Sequence, residues 1–206
     1  IALSKHQGNA IFPIDPQGGD TWLGVSHFGQ TLALLNDYQS VFDITAVKHS
    51  RGLLIPHLLS NKAPALYQLQ NMDLSGYAPF KLCIFPDGLS INNNNVVFVR
   101  WDAKQLIYCQ VEPLATSSGV ELETVTQKRK QQFKQLIDLR YPESEQFLAF
   151  HYSKAEQGQC GVNMLREDAM TVSISHIKVG NTIRFNYFDK QSQLISSIGC
   201  LKVAAA

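Results

Sequence analysis

The chain is poor in charge and has no surplus of either sign. Charged residues fill 17% of its 206 positions, against about a quarter in an average globular protein. Lys and Arg total 18 and Asp and Glu 17, a net charge of +1. That balance gives no electrostatic drive toward nucleic acid or an anionic membrane, so neither is expected as a partner. No apolar run approaches the ~20 residues that cross a bilayer, so no membrane span is expected. Cysteine is scarce. Cys83, Cys109, Cys160 and Cys200 are widely and irregularly spaced, with no CxxC pair. Such spacing disfavours structural zinc. Reduced core cysteines are expected instead, and they suit a cytoplasmic location. The common catalytic signatures GxxxxGKS/T, GxGxxG, HExxH and GxSxG are missing. No two histidines stand at i,i+4, so a helical metal site is not expected, and no metal or cofactor is assigned. His57 reads as a core or edge histidine on an apolar helix face.

Apolar residues fill 45% of the chain, ordinary for a globular protein and contrary to disorder. At this length one domain is expected, spanning 1–203, with 204–206 as a tail. Alternation and turn residues predict a hairpin from strands 21–26 and 31–36 around a His27-Phe-Gly29 turn. Ser50 is a good N-cap for a helix over 50–59, and Asn61 for a second over 63–69. Strands follow at 80–85, 96–101 and 105–110, then a long helix over 121–139. Lys128-Arg129-Lys130 should face out from it. Pro142 and Ser144 begin another helix. Three closing strands are read at 161–165, 171–179 and 182–188. Strand runs separated by helix pairs signal an α+β protein, with two sheets face to face and helices outside each.

Two segments stand out chemically. Pro13-Ile-Asp-Pro-Gln-Gly-Gly-Asp-Thr-Trp-Leu-Gly-Val-Ser26 sets prolines and paired glycines directly before a strand. It is either a tight connection into a hairpin or a pocket rim, with Asp20 and Thr21 beside an aromatic wall at Trp22. The hydroxyls of Ala115-Thr-Ser-Ser-Gly119 either cap the long helix or donate to a developing anion.

The stretch from Asp15 to Asn36, with its Gly-Gly-Asp-Thr-Trp block, resembles the NRDE family, which includes the transport and Golgi organisation protein two group. Ser50-Arg-Gly-Leu-Leu, Tyr77-Ala-Pro-Phe-Lys-Leu82, Thr116-Ser-Ser118 and Leu165-Arg-Glu-Asp-Ala-Met-Thr-Val-Ser173 fall in the family's order. The resemblance implies the four-layer αββα sandwich of N-terminal-nucleophile hydrolases. In relatives of that fold an N-terminal Cys attacks an amide carbonyl, with its own α-amino group as base. The family's opening Met-Cys and Asn-Arg-Asp-Glu signature would precede Ile1, so the sandwich is expected to lack its N-terminal segment here. By resemblance Asn36 is the oxyanion donor, with Ser117 and Ser118 as further catalytic polar groups. Asp20, Trp22 and Arg51 are the expected ligand-binding residues. Met170 stands where bacterial relatives carry an Arg. The implied function is carbon–nitrogen (amide) hydrolysis with the nucleophile outside the chain. The alternative is a non-catalytic binder or carrier of a small ligand, haem or lipid, on the same fold. The sequence leaves catalysis itself open.

Overall fold

The computed structural model describes residues 2–6, 10–16, 18–90, 92–154, 161–165 and 170–203. Ile1, Cys160, the segment 166–169 and the tail 204–206 lie outside them. The chain forms two compact units. One comprises Ile1–Val111, Ile177–Phe185 and Ser196–Ala206, the other Glu112–His176 and Asn186–Ile195.

A meander of seven strands organises the first unit: β1 (Ala2–His6), β2 (Ala10–Ile14), β3 (Leu23–Ser26), β4 (Thr31–Asn36), β5 (Phe80–Phe85), β6 (Val97–Trp101) and β7 (Leu106–Cys109). Neighbours are antiparallel, and β5 pairs with β4 through Leu34↔Leu82 and with β6 through Leu82↔Val99. Strand β5 occupies 80–85 as the alternation predicts, because Phe80, Leu82 and Ile84 are buried and the residues between them are not. The long connection from β4 to β5 holds α1 (Leu54–Ser60) and α2 (Ala65–Asn71). Leu54, Ile55, Leu58 and Leu59 of α1 and Leu69 of α2 pack on Phe12, Leu32, Leu82 and Val99 of the sheet.

The other face of the sheet meets a second one. Strands β8 (Ser173–Val179), β9 (Thr182–Asp189) and β10 (Leu194–Leu201) lie in the order β10-β9-β8. Within the first unit, Ile183 and Phe185 pack against Ile11 and Val25 in a separate apolar cluster. The first unit is therefore layered helix, sheet, sheet, and the chain is an α+β sandwich.

In the second unit α3 (Leu122–Leu136) and α4 (Ser144–Tyr152) pack through Phe133, Ile137 and Phe150. The rings of Phe133 and Phe150 meet edge to face at 5.3 Å. Glu143 starts α4 with a reciprocal cap, its amide donating to Gln146 Oε1 at 3.1 Å.

Five local expectations need correction or narrowing. Asn61 does not cap α2. It ends α1, and its Nδ2 donates to Gln68 Oε1, while Pro64 precedes α2 without a side-chain cap. Of the two readings of His57, core or edge, its exposure excludes the core. Residues 161–165 form no strand. Thr171 Oγ1 accepts from the Met164 amide and donates to the Val162 carbonyl, so a side chain satisfies groups that a ladder would otherwise pair. Arg129 does not face out: its guanidinium is half-buried and donates to Thr116 Oγ1. Finally β1, β2 and β10 are strands that the residue pattern did not announce.

Candidate functional site

The loop into β3 is closed by its own backbone. The Asp15 amide donates to the Asp20 carbonyl at 2.9 Å and the Gly19 amide to the Asp15 carbonyl at 2.8 Å. Gly19 turns at φ +67, a conformation that favours glycine. The loop thereby delivers Asp20 to the start of α1. The Ser50 hydroxyl donates to the Asp20 carboxylate, and the Thr21 amide donates to the Gly52 carbonyl at 3.2 Å. A Cβ at Gly52 would meet the Asp20 Cγ at 2.5 Å. The contact tolerates no side chain there. The Gly-Gly-Asp-Thr-Trp and Ser-Arg-Gly-Leu-Leu blocks are thus two sides of one junction. Ser50 does cap, as expected, but the turn it caps is a 3-10 turn, Arg51–Leu53, that runs into α1.

Arg51 extends the junction to the end of β4. Its Nη1 donates to the Pro79 carbonyl at 2.9 Å, which also accepts from the Asp37 amide at 3.3 Å. Asn36, just before Asp37, is half-buried and donates through Nδ2 to the Tyr38 hydroxyl at 2.9 Å. Trp22 is half-buried, and its carbonyl accepts from the Leu34 amide at 2.8 Å. So Asp20, Arg51 and Asn36 fall on one connected stretch of contacts, with Trp22 in the adjoining strand entry. Ser117 and Ser118 belong to the second unit. There the guanidinium of Arg129 is half-buried and grips their loop, donating to Thr116 Oγ1 at 2.6 Å and to the Ser117 and Gly161 carbonyls. Ser118 bonds locally to Val120, and Glu121 precedes α3 with no side-chain cap, so these hydroxyls do not cap the helix.

Asp37, beside the predicted donor, is a residue that the sequence reading missed. Its side chain is fully covered. Burial alone would push its carboxyl up. Hydrogen bonds from Ser40, Arg100 and the Gln39 amide, with the Arg100 charge, outweigh burial and hold the pKa below the ordinary carboxylate value. The available signal was a lone Asp ending an apolar strand and single charges, Lys81 and Arg100, inside apolar strands.

None of the described cysteines is a disulfide partner. Burial, with a smaller contribution from Cys109, pushes the Cys83 thiol up to about 11. A neutral thiol is a poor nucleophile.

A cavity of about 370 Å³ opens at the other end of the sheet. Its walls include Phe28, Leu59, Leu66, Ile84, Pro86 and Val97, and Gln30, Asn61, Lys62 and Asp87 supply polar atoms. Gln30 is fixed by the Ala65 amide, which donates to its Oε1 at 2.8 Å, and Lys62 Nζ stands 5.9 Å from the centre of the Phe28 ring. Ile84 lines the cavity while Phe80 pairs with Asn36. Their separation along β5 is about 14 Å at ~3.4 Å per residue. The cavity therefore contains none of the sequence-predicted site residues.

Among the described residues no helix is long and apolar enough to cross a membrane. Nor do three His, Cys, Asp or Glu side chains gather there as metal ligands. A comparison with curated proteins finds no match. The model of the Transport and Golgi organisation 2 (TANGO2) family matches residues 1–180, the NRDE group to which the block order pointed, and the chain belongs to that family.

Proposed function

We propose that this chain binds a small ligand with an apolar body and a carboxylate end. The observation that carries the proposal is the cavity of about 370 Å³, within the usual range for small-molecule sites. Its lining is mainly aliphatic and aromatic, and Lys62 at its wall supplies one cation. None of the described lining residues is a His, Cys, Met or Tyr, so these walls offer haem iron none of its usual axial ligands. Of the two ligand classes the sequence suggested, an acyl chain suits this lining better. Calorimetry with decanoate tests the reading. Saturable binding is expected, weakened about tenfold or more by Leu66→Trp, which fills the cavity. Lys62→Met should weaken decanoate but not decanol. Absence of saturable binding, or binding indifferent to Leu66→Trp, overturns it.

A second reading, amide hydrolysis, draws support from Asn36, whose amide nitrogen is a half-buried donor at the end of β4. Such a donor can stabilise an oxyanion. Cys83 is held as a neutral thiol, so this reading does not take its nucleophile from there. If the protein turns over acyl amides, Asn36→Ala should lower kcat by about 10²-fold or more. Unchanged turnover removes Asn36 from the chemistry.

A further inference from the structure

Two cations stand side by side on the sheet face turned away from α1 and α2. Lys81 of β5 and Arg100 of β6 are direct partners across the ladder. Their Cβ atoms are therefore about 5 Å apart on one face. Like charges so placed destabilise a sheet unless something offsets them. The offset is Asp37. Arg100 Nε donates to its Oδ2 at 2.7 Å and the Ser40 hydroxyl at 2.6 Å, while Arg100 Nη2 donates to Ser40 Oγ at 2.9 Å. Arg100 and Ser40 thus satisfy Oδ2, and the Gln39 amide reaches Oδ1 at 3.3 Å. Lys81 adds little to this. Its ammonium lies 4.0 Å from Oδ1, outside hydrogen-bond distance. Asp102, in the turn after β6, directs its carboxylate to the Lys104 and Gln105 amides. The cluster of Lys81, Arg100 and Asp37 therefore keeps one positive charge in excess.

Exposure decides what can reach that charge. The Asp37 side chain is 0% exposed, Lys81 16% and Arg100 29%. The side chains of Lys81 and Arg100 are thus in reach of solvent and Asp37 is not, while Asp37 holds the guanidinium in a fixed orientation. We propose that Lys81 and Arg100 form a binding site for a small monocarboxylate, separate from the apolar cavity. One carboxylate oxygen would accept from Lys81 Nζ and the other from Arg100 Nη1. Each would be a charge-assisted hydrogen bond, stronger than one between neutral groups. A monoanion cancels the excess charge. A phosphate dianion would leave a negative excess beside a covered carboxylate, which disfavours it.

Acetate is the probe, titrated into the full chain by NMR, with inorganic phosphate in a parallel titration. Acetate is too small and polar to report on the apolar cavity. Saturable shifts of the Arg100 side-chain N–H resonances are expected. Lys81→Met should weaken acetate about tenfold or more. Lys81→Arg should restore most of it, and Lys62→Met should leave it unchanged. The wild-type Arg100 resonances provide a readout that needs no variant to fold. The proposal is overturned if those resonances do not respond, or if Lys81→Met binds acetate like the wild type. Loss on Lys62→Met, or phosphate binding more tightly than acetate, also overturns it.

Discussion

At the scale of single residues, Asp37 shows how a covered charge is tolerated. Its carboxylate accepts from Ser40, Arg100 and the Gln39 amide, so the charged form is the favoured one. A carboxyl whose folded pKa lies below its unfolded value near 3.9 stabilises the fold above that value. This contribution is lost as pH falls through the folded pKa. Urea unfolding at neutral pH should show Asp37→Asn destabilised by roughly 3 kcal/mol, the cost of leaving Arg100 without its partner. The deficit should shrink as pH falls below the unfolded carboxylate value and through the lower folded pKa, where the wild-type carboxyl also takes up its proton. An Asp37→Asn chain as stable as the wild type at neutral pH would contradict the account. The residue level was also the least legible in the sequence. Asp20, Arg51 and Asn36 could be named from the family blocks. Lys81, Arg100 and Asp37 could not be grouped, because they come together only through the β4–β5–β6 register.

Among the elements, legibility followed the strength of local signals. Strand β5 was readable from alternation bounded by Pro79 and Pro86, and β4 from its apolar run. Strand β2 was missed because all of Ala10, Ile11, Phe12 and Pro13 are buried, which leaves no alternation to read. Strand β10 alternates only between half-covered and exposed residues, a faint signal beside Ser196, Ser197 and Gly199. Asn61 looks like a cap for α2 in the sequence, but it serves the end of α1 instead. The junction of the β3 loop with α1 carries a prediction of its own. Gly52→Ala forces a methyl group against Asp20, whose Cβ would lie 2.6 Å away. That backbone-near atom cannot swing aside, so thermal denaturation should show a loss of about 1–3 kcal/mol. A Gly52→Ala chain with unchanged Tm would mean that the two blocks are not locked together as described.

Taken as a whole molecule, the chain realises the α+β reading through two apolar clusters on opposite faces of one sheet. Leu58 and Leu82 belong to one cluster, Val25 and Phe185 to the other. The α+β class was legible because strand runs and helix pairs alternate along the sequence. The cavity was not. Its walls come from the ends of three strands and from both helices of the β4–β5 connection, and no contiguous motif marks them. The sequence pointed to one end of the sheet, at Asn36 and Arg51, while the apolar cavity lies at the other. Whether a ligand enters that cavity is decided by mapping decanoate onto the chain with heteronuclear NMR. Saturable shifts gathered at Phe28, Lys62, Leu66 and Val97 are expected. Shifts gathered at Asn36 and Arg51, or none that saturate, would contradict binding at the cavity.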